Sequence, residues 1–287
     1  MSAPSHARPA GPRTAARIRS IVLHATVIVL GAFIVVPIAY GVLGGFKDTG
    51  QLSTNAFGLP DPWRFGNYTE ILTSATFWRP LFNSTFIALA TTLIVVAVSA
   101  MAAFIFARFA FRGRELIFTL FAMGLMFPFA VAILPLFVLL RMLGLLDNPL
   151  GVILPQAAFG LPMTIIILRT FFRSIPREIE EAATLDGCSA FGFFWRILLP
   201  MARPAIATVS VIAIVTSWNN FFLPLVVFND VDWWTIPLGV QQFSGQYTED
   251  TARVLAYVVV AMIPALAFYA VAERQLIGGL TAGATKG

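Results

Sequence analysis

The sequence predicts an all-α membrane protein of six transmembrane helices, and three observations carry that prediction. Of 287 residues, 58% are hydrophobic and only 11% are charged, with a mean hydropathy of +0.83; soluble domains average about 25% charged residues. Six stretches are long and apolar enough to cross a hydrocarbon core about 30 Å thick. Aspartate, glutamate, lysine and arginine are absent from the depth of all six and collect between them. Disorder and a soluble secreted fold are excluded. One cysteine rules out a disulfide framework, and with only two histidines beside it no metal site or cofactor is expected. A formal charge of +5 is too small to indicate nucleic acid.

The first element is a Pro/Ala-rich leader, residues 1–20, carrying Arg8, Arg13, Arg17 and Arg19. The apolar run after it, 21–43, exceeds the roughly 7–15 residues of a cleavable signal and lacks a clear small-residue cleavage site. It reads as an uncleaved helix. The next spans are 85–106, 116–140 and 150–168, followed by 204–228 and 252–272. Residues 21–273 form one six-helix domain, and 274–287 a polar tail. Pro37, Pro128, Pro135, Pro155, Pro162 and Pro264 fall inside spans. Each removes a backbone donor and tends to kink its helix, which favours a gated bundle over a passive anchor.

Orientation follows from the basic residues. With the N-terminus inside, the inner segments hold the leader arginines and Arg108, Arg112 and Arg114. They also hold Arg169, Arg173, Arg177, Arg196, Arg203, Arg274 and Lys286. The outer segments hold Lys47, Arg64, Arg79, Arg141 and Arg253, and the loop 229–250 has four acids and no base. The positive-inside rule then puts both termini in the cytoplasm.

The spans lack the mid-membrane ionisable groups that ion-coupled transporters and proton pumps use. There is no His pair at zinc spacing and no G-x-S-x-G turn. Neither lysine stands in a G-x-x-x-x-G-K-[ST] phosphate loop, so the chain is expected to be no enzyme, and a partner must supply energy for uphill transport. What the spans do hold is uncharged polarity: Asn83, Thr91, Thr92, Ser99, Gln156, Ser217, Asn219 and Asn220. Such groups either join helices, at about 0.6–2 kcal/mol per bond, or line a path for a neutral polyhydroxylated solute. For most of them the joining role is the commoner one. Asn83, Gln156 and the run Trp218-Asn219-Asn220, an aromatic face beside two amides, are the candidate path residues.

The inner segment 174–200 is predicted to form two short helices at a bend. Pro176 suits a first turn, and Glu178, Glu180 and Glu181 sit near the positive end of the helix dipole. Ala182 and Ala183 give a small-residue surface, and Gly187 is a natural stop. A second helix from about Ser189 carries Phe191, Phe194, Ile197 and Leu198, and Pro200 closes it. Close-approach alanines with first-turn carboxylates suit a partner's groove. A lipid-surface helix is the alternative, and three glutamates against an anionic leaflet count against it.

The run Glu181-Ala182-Ala183-x-x-Asp186-Gly187, followed by Phe194, Ile197, Leu199 and Pro200, resembles the EAA loop of the membrane subunits of ATP-binding-cassette importers. The longer form is similar to the carbohydrate-uptake branch, the maltose-type second permease. The ending GLTAGATKG at 279–287, Asn67-Tyr68, Asn83-Ser84 and the segment from Thr235 to Gly239 are similar to that branch as well. The resemblance implies a type I importer permease with six spans. Glu178, Glu181, Ala182, Ala183, Asp186, Gly187, Phe194, Ile197 and Pro200 would couple it to the ATPase. The tail would reach toward the ATPase dimer, and Thr235, Pro237 and Gly239 would meet a solute-binding protein. Implied partners are a second permease subunit, two ATPase subunits, the extracytoplasmic binding protein and a sugar. A glycerophosphodiester or polyol importer and a proton-coupled transporter are the alternatives. Cys188 stands where the family commonly has alanine, and Asn220 where an acid often follows Trp-Asn.

Overall fold

In the computed structural model the described residues are 12–243 and 250–284, with side chains described for 17, 19–243 and 250–270. Residues 1–11 of the leader and 285–287 of the tail lie outside them. No strand occurs among the described residues. In chain order the helices are α1 (Pro12–Gly44), α2 (Thr49–Thr54), α3 (Gly66–Thr73), α4 (Ala75–Arg108) and α5 (Arg114–Met123). They continue with α6 (Phe129–Met142), α7 (Leu150–Ser174), α8 (Arg177–Leu185), α9 (Ala190–Phe193) and α10 (Leu199–Met201). The last are α11 (Arg203–Trp218), α12 (Phe222–Val227), α13 (Ile236–Gly239) and α14 (Thr251–Ala284). Four helices are long and apolar enough to cross a membrane, and six spans result when two sharply bent pairs each count as one.

The expected spans are corrected in three places, each for a local reason. The second starts ten residues early, at Ala75, because Arg79 and Asn83 are satisfied by a loop folded over the helix end. The third is two helices meeting at 99°. Pro128 forces Phe127 out of the helical region, to φ −78 and ψ 115. The fifth stops at Trp218 and resumes at Phe222. Pro224 has no N–H to give the Asn220 carbonyl, and the Asn220 side chain instead accepts from the Leu223 N–H at 3.2 Å. Pro155 and Pro162, by contrast, stay inside an unbroken α7.

The core sits where α4, α7 and α11 meet. α4 offers Ala88, Ala100, Ala103 and Ala107 on its buried face, and α7 offers Gly151, Ala157 and Gly160. A methyl at Gly160 would press on Val95, so its absence lets α4 and α7 approach closely. At one end of the bundle Ala103, Leu168, Phe172, Phe194 and Leu198 pack together. At the opposite end Ile87, Val152, Ile153, Leu223 and Leu238 form a second cluster. A third cluster sets Ile71 and Phe77 against Ile236 of α13 and Tyr257 of α14.

α1 differs from the rest. Residues 19–30 and 32–39 are all exposed, and the helix is packed closely near its C-terminal end, where Gly41 and Gly44 approach Val259 and Leu255 of α14. That end is clamped. Tyr68 donates to the Val42 carbonyl at 2.9 Å, and Asn67 donates to the Gly45 and Lys47 carbonyls. Lys47 is itself buried, its ammonium donating to the carbonyls of Asn55 and Ala56. Burial pushes the Tyr68 phenol up to about 12.

Candidate functional site

The segment 174–200 folds as the two-helix elbow its sequence implies. Glu178 and Glu180 occupy the first turn of α8. At its end Gly187 takes φ +79, its N–H donating to Thr184 while the Cys188 N–H donates to Ala183 at 2.9 Å. This paired closure needs the left-handed residue that glycine supplies. Ser189 then caps α9, accepting from the Gly192 N–H. A π-helical stretch, Phe194–Leu198, follows before the chain turns by 76° into α11.

The structure sorts the coupling candidates into two faces. Glu178, Glu181, Ala182, Asp186, Gly187 and Pro200 are exposed, and Ile197 is half-buried. Ala183 and Phe194 point inward and belong to the core cluster around Phe172 and Leu198. The expected small surface at Ala182-Ala183 is therefore corrected to one alanine outward and one inward. Leu185 (90% exposed) lies one turn after Glu181, and the exposed rings of Phe191 (73%) and Trp195 sit 6.1 Å apart, apolar surface which no charge or small-residue argument identified.

The elbow is held by buried charge. The Arg108 side chain donates to the carbonyls of Phe172 and Ile175 at 2.8 and 2.9 Å, and it pairs with Glu180 at 3.5 Å. Nearby, Arg169 is 4% exposed. It donates to both Glu115 oxygens at 2.5 and 2.7 Å and to the Phe106 carbonyl, and lies over the Phe118 ring. Arg173 and Arg114 complete the surround of Glu115. Sequence reasoning placed these arginines only by side of the membrane. Their burial was signalled by spacing, since Ala100, Phe104 and Arg108 follow one another at i, i+4, i+8, as Ile165 and Arg169 do at i, i+4.

Of the path candidates, Gln156 and Asn220 line one cavity of about 390 Å³, with Thr91, Thr164, Thr216 and Ser217 and the rings of Phe129 and Phe159. Gln156 accepts from Ser217 at 2.6 Å and Thr91 at 3.4 Å, while its Nε2 has no partner. Trp218 and Asn219 do not join them. They line a separate, largely apolar groove against α4 and α14, because the helix turns its successive residues apart by about 100°. Asn83 leaves the path altogether. Its amide donates to the carbonyls of Asp232 and Trp234 at 2.8 and 2.9 Å.

The loop at that end also corrects an expectation. Thr235 and Gly239 are buried and Pro237 is half-buried. α13 is pressed into the bundle, its Ile236 N–H donating to Ser84 Oγ at 2.8 Å. A Cβ on Gly239 would overlap the Tyr257 hydroxyl. The exposed residues beside α13 are Asn229, Asp230, Val231 and Asp232. Asp147, at φ 52, braces them from the α6–α7 turn. It accepts from the N–H groups of Asn229 and Asp230 at 2.6 and 2.9 Å and from the Asn229 amide. The Asp230 N–H first, with those of Asn229, holds its carboxyl below the usual range.

A bundle with an uncharged cavity and an exposed elbow matches a known family. Residues 96–275 match the binding-protein-dependent transport system inner membrane component. The chain belongs to that family. This permease is 37% identical over 262 residues to the diacetylchitobiose uptake system permease protein NgcG of Streptomyces coelicolor, covering 91% of this chain and 87% of the relative. It is 36% identical over 231 residues to the trehalose transport system permease protein SugB of Mycobacterium tuberculosis, covering 80% and 84%. Its fold matches a chain of a bacterial ABC transporter involved in import of the acidic polysaccharide alginate, with TM-score 0.80 and 23% identity over 95% of this permease and 99% of that chain. A further match, with TM-score 0.66 and 15% identity over 90% and 95% of the two chains, is an alginate transporter in complex with alginate pentasaccharide-bound periplasmic protein. The permease is thus an inner membrane transport component with several apolar helices.

Proposed function

We propose that this permease forms half of the translocation path of an ATP-driven importer for a sugar or oligosaccharide. The observation that carries the reading is its likeness, along nine-tenths of its length, to a diacetylchitobiose permease. The cavity chemistry agrees, since amides, hydroxyls and two phenyl rings suit a neutral polyol better than an ion. A second permease subunit encloses the other side, and of two ATP-binding cassette subunits one receives the exposed face of α8 and α9 in a cleft. Both termini lie in the cytoplasm, as the arginine distribution requires. A solute-binding protein delivers the sugar at the end carrying Asp230 and Asp232. It meets those exposed residues first, with Pro237 at the margin.

ATP binding closes the ATPase pair, and α8, moved with it, rocks the bundle between outward-open and inward-open states, which expose the solute first outside and then inside. Such coupling requires nucleotide to bind the two states with different affinity. Glu178, Glu181 and Asp186 make the polar contacts of the elbow, with Ala182 allowing close approach and Leu185 as its apolar contact. The chain performs no bond chemistry.

Replacing Glu181→Lys together with Gly187→Pro reverses a charge on the docking face and removes the φ +79 turn. Uptake of radiolabelled diacetylchitobiose or trehalose by cells is expected to vanish while the chain stays in the membrane fraction. Unchanged uptake refutes the elbow's role, and uptake that collapses with an uncoupler while ATP is maintained would assign the work to a proton gradient.

A further inference from the structure

The two ends of α4 are joined to quite different parts of the molecule. At one end the Arg108 side chain, 2% exposed, bonds two carbonyls at the close of α7 and pairs with Glu180 of α8. One guanidinium therefore joins α4, α7 and α8. At the other end Arg79 meets the Asp232 carboxylate at 2.7 Å and donates to its carbonyl at 3.1 Å. Asn83 donates to the carbonyls of Asp232 and Trp234, and Ser84 accepts from Ile236. From Arg79 to Arg108 the helix rises about 44 Å at 1.5 Å per residue.

α4 is also stiff. After Pro80 it contains neither proline nor glycine. α7 carries Gly151, Pro155, Gly160 and Pro162, each proline removing a hydrogen bond from its ladder. α5 and α6 are separated by the 99° bend. α4 thus offers a displacement of α8 a route to the opposite end free of proline and glycine from Leu81 to Arg108.

We infer that Arg108 is a positioning residue that fixes α8 to α4, and that α4 carries the movement of α8 as a rigid rod to the loop 231–236. The inference rests on the reading of α8 as the ATPase-coupling element. Arginine is required because its planar fork presents several donors at fixed angles, here to two carbonyls and a carboxylate at once; a lysine offers a single point of charge. The pair is shielded from salt on the Arg108 side, unlike the exposed charges around it.

The test uses the complex purified from its native membrane, with a fluorophore on Val231→Cys in a Cys188→Ser background. The signal is the change in emission on adding ATP with vanadate, read beside ATPase co-purification and ATP turnover. Glu180→Gln removes the ion pair but leaves both carbonyl bonds of Arg108. It is expected to keep the ATPase bound and to reduce the change at residue 231 by about threefold or more, the scale on which coupling variants act. Arg108→Ala is expected to abolish the change, and Arg108→Lys to restore only part of it. If Arg108→Ala fails to insert, Glu180→Gln decides alone. A full response in a Glu180→Gln complex that retains its ATPase overturns the rod and leaves the coupling reading standing. Absence of any ATPase from the unsubstituted complex overturns both.

Discussion

α1 and α4 are near twins in length and hydropathy and opposites in packing. They contain 33 and 34 residues, and their best apolar windows have hydropathy 2.6 and 2.4. None of the α1 window is buried inside the chain, against 44% of the α4 window. Hydropathy therefore reports that a helix prefers lipid and says nothing of what else it touches. The difference lies in the residues that hydropathy averages away. α4 lays alanines, Thr91, Thr92 and Ser99 along the face it turns to α7 and α11, and small or hydroxylated residues are what membrane helices use to approach each other. In α1, between Thr26 and Tyr40, the sequence is Val, Ile, Leu, Phe and Ala with Gly31 and Pro37, a surface made for lipid or for another chain.

Three substitutions sharpen this contrast. The largest effect is expected at Ala103, which is fully buried. Ala103→Leu forces extra volume between α4 and its neighbours, at a cost of about 1–3 kcal/mol. The same change at exposed Ala32 of α1 should stay within about 0.5 kcal/mol. Thermal unfolding of the detergent-solubilised chain measures both, and equal shifts would dissolve the distinction. Next comes Glu115→Gln, which leaves buried Arg169 without its carboxylate. A loss of stability smaller than that at Ala103 is expected, and limited proteolysis should show α5 loosened from α7 while α1 is cleaved as before.

The smallest effect concerns pH at the opposite end. Asp147 has its carboxyl pKa lowered, chiefly by the Asp230 N–H. A carboxylate with a depressed folded value contributes stability above its unfolded pKa of about 4, and that contribution is lost as pH falls through the folded value. Asp147→Asn tolerates the same positive φ and should flatten the decline of melting temperature between pH 5 and pH 3 relative to the unsubstituted chain. An identical acid limb would mean that the bracing of residues 229 and 230 adds nothing.

Much of this was legible in the residues, and what was not has physical causes. The six apolar runs, the elbow and its Gly187 stop follow from local rules of length, capping and backbone freedom. The breaks at residues 127–128 and 219–221 did not follow, because Pro155 and Pro162 show the same residue type riding inside a helix. Neighbours that satisfy the freed carbonyls decide between the two outcomes. Asn83 was legible as a polar group that needs partners, yet the partners are carbonyls about 150 positions away. Thr235 and Gly239 were singled out by the resemblance alone, yet both are buried, with Gly239 packed closely against Tyr257. The uncharged cluster of Thr91, Gln156 and Ser217 was visible one residue at a time, and only the fold brings its members together.

One consequence of the clamp around Lys47, Asn67 and Tyr68 is practical. A helix about 50 Å long at 1.5 Å per residue, fastened only at its C-terminal end, behaves as a detachable arm. Reporter tags, affinity handles or a substitute anchor grafted before residue 38 leave every side chain of the central bundle in place. Production yield of the protein by itself should then depend on what shelters that arm, and co-production with a companion able to cover it is the first condition to try.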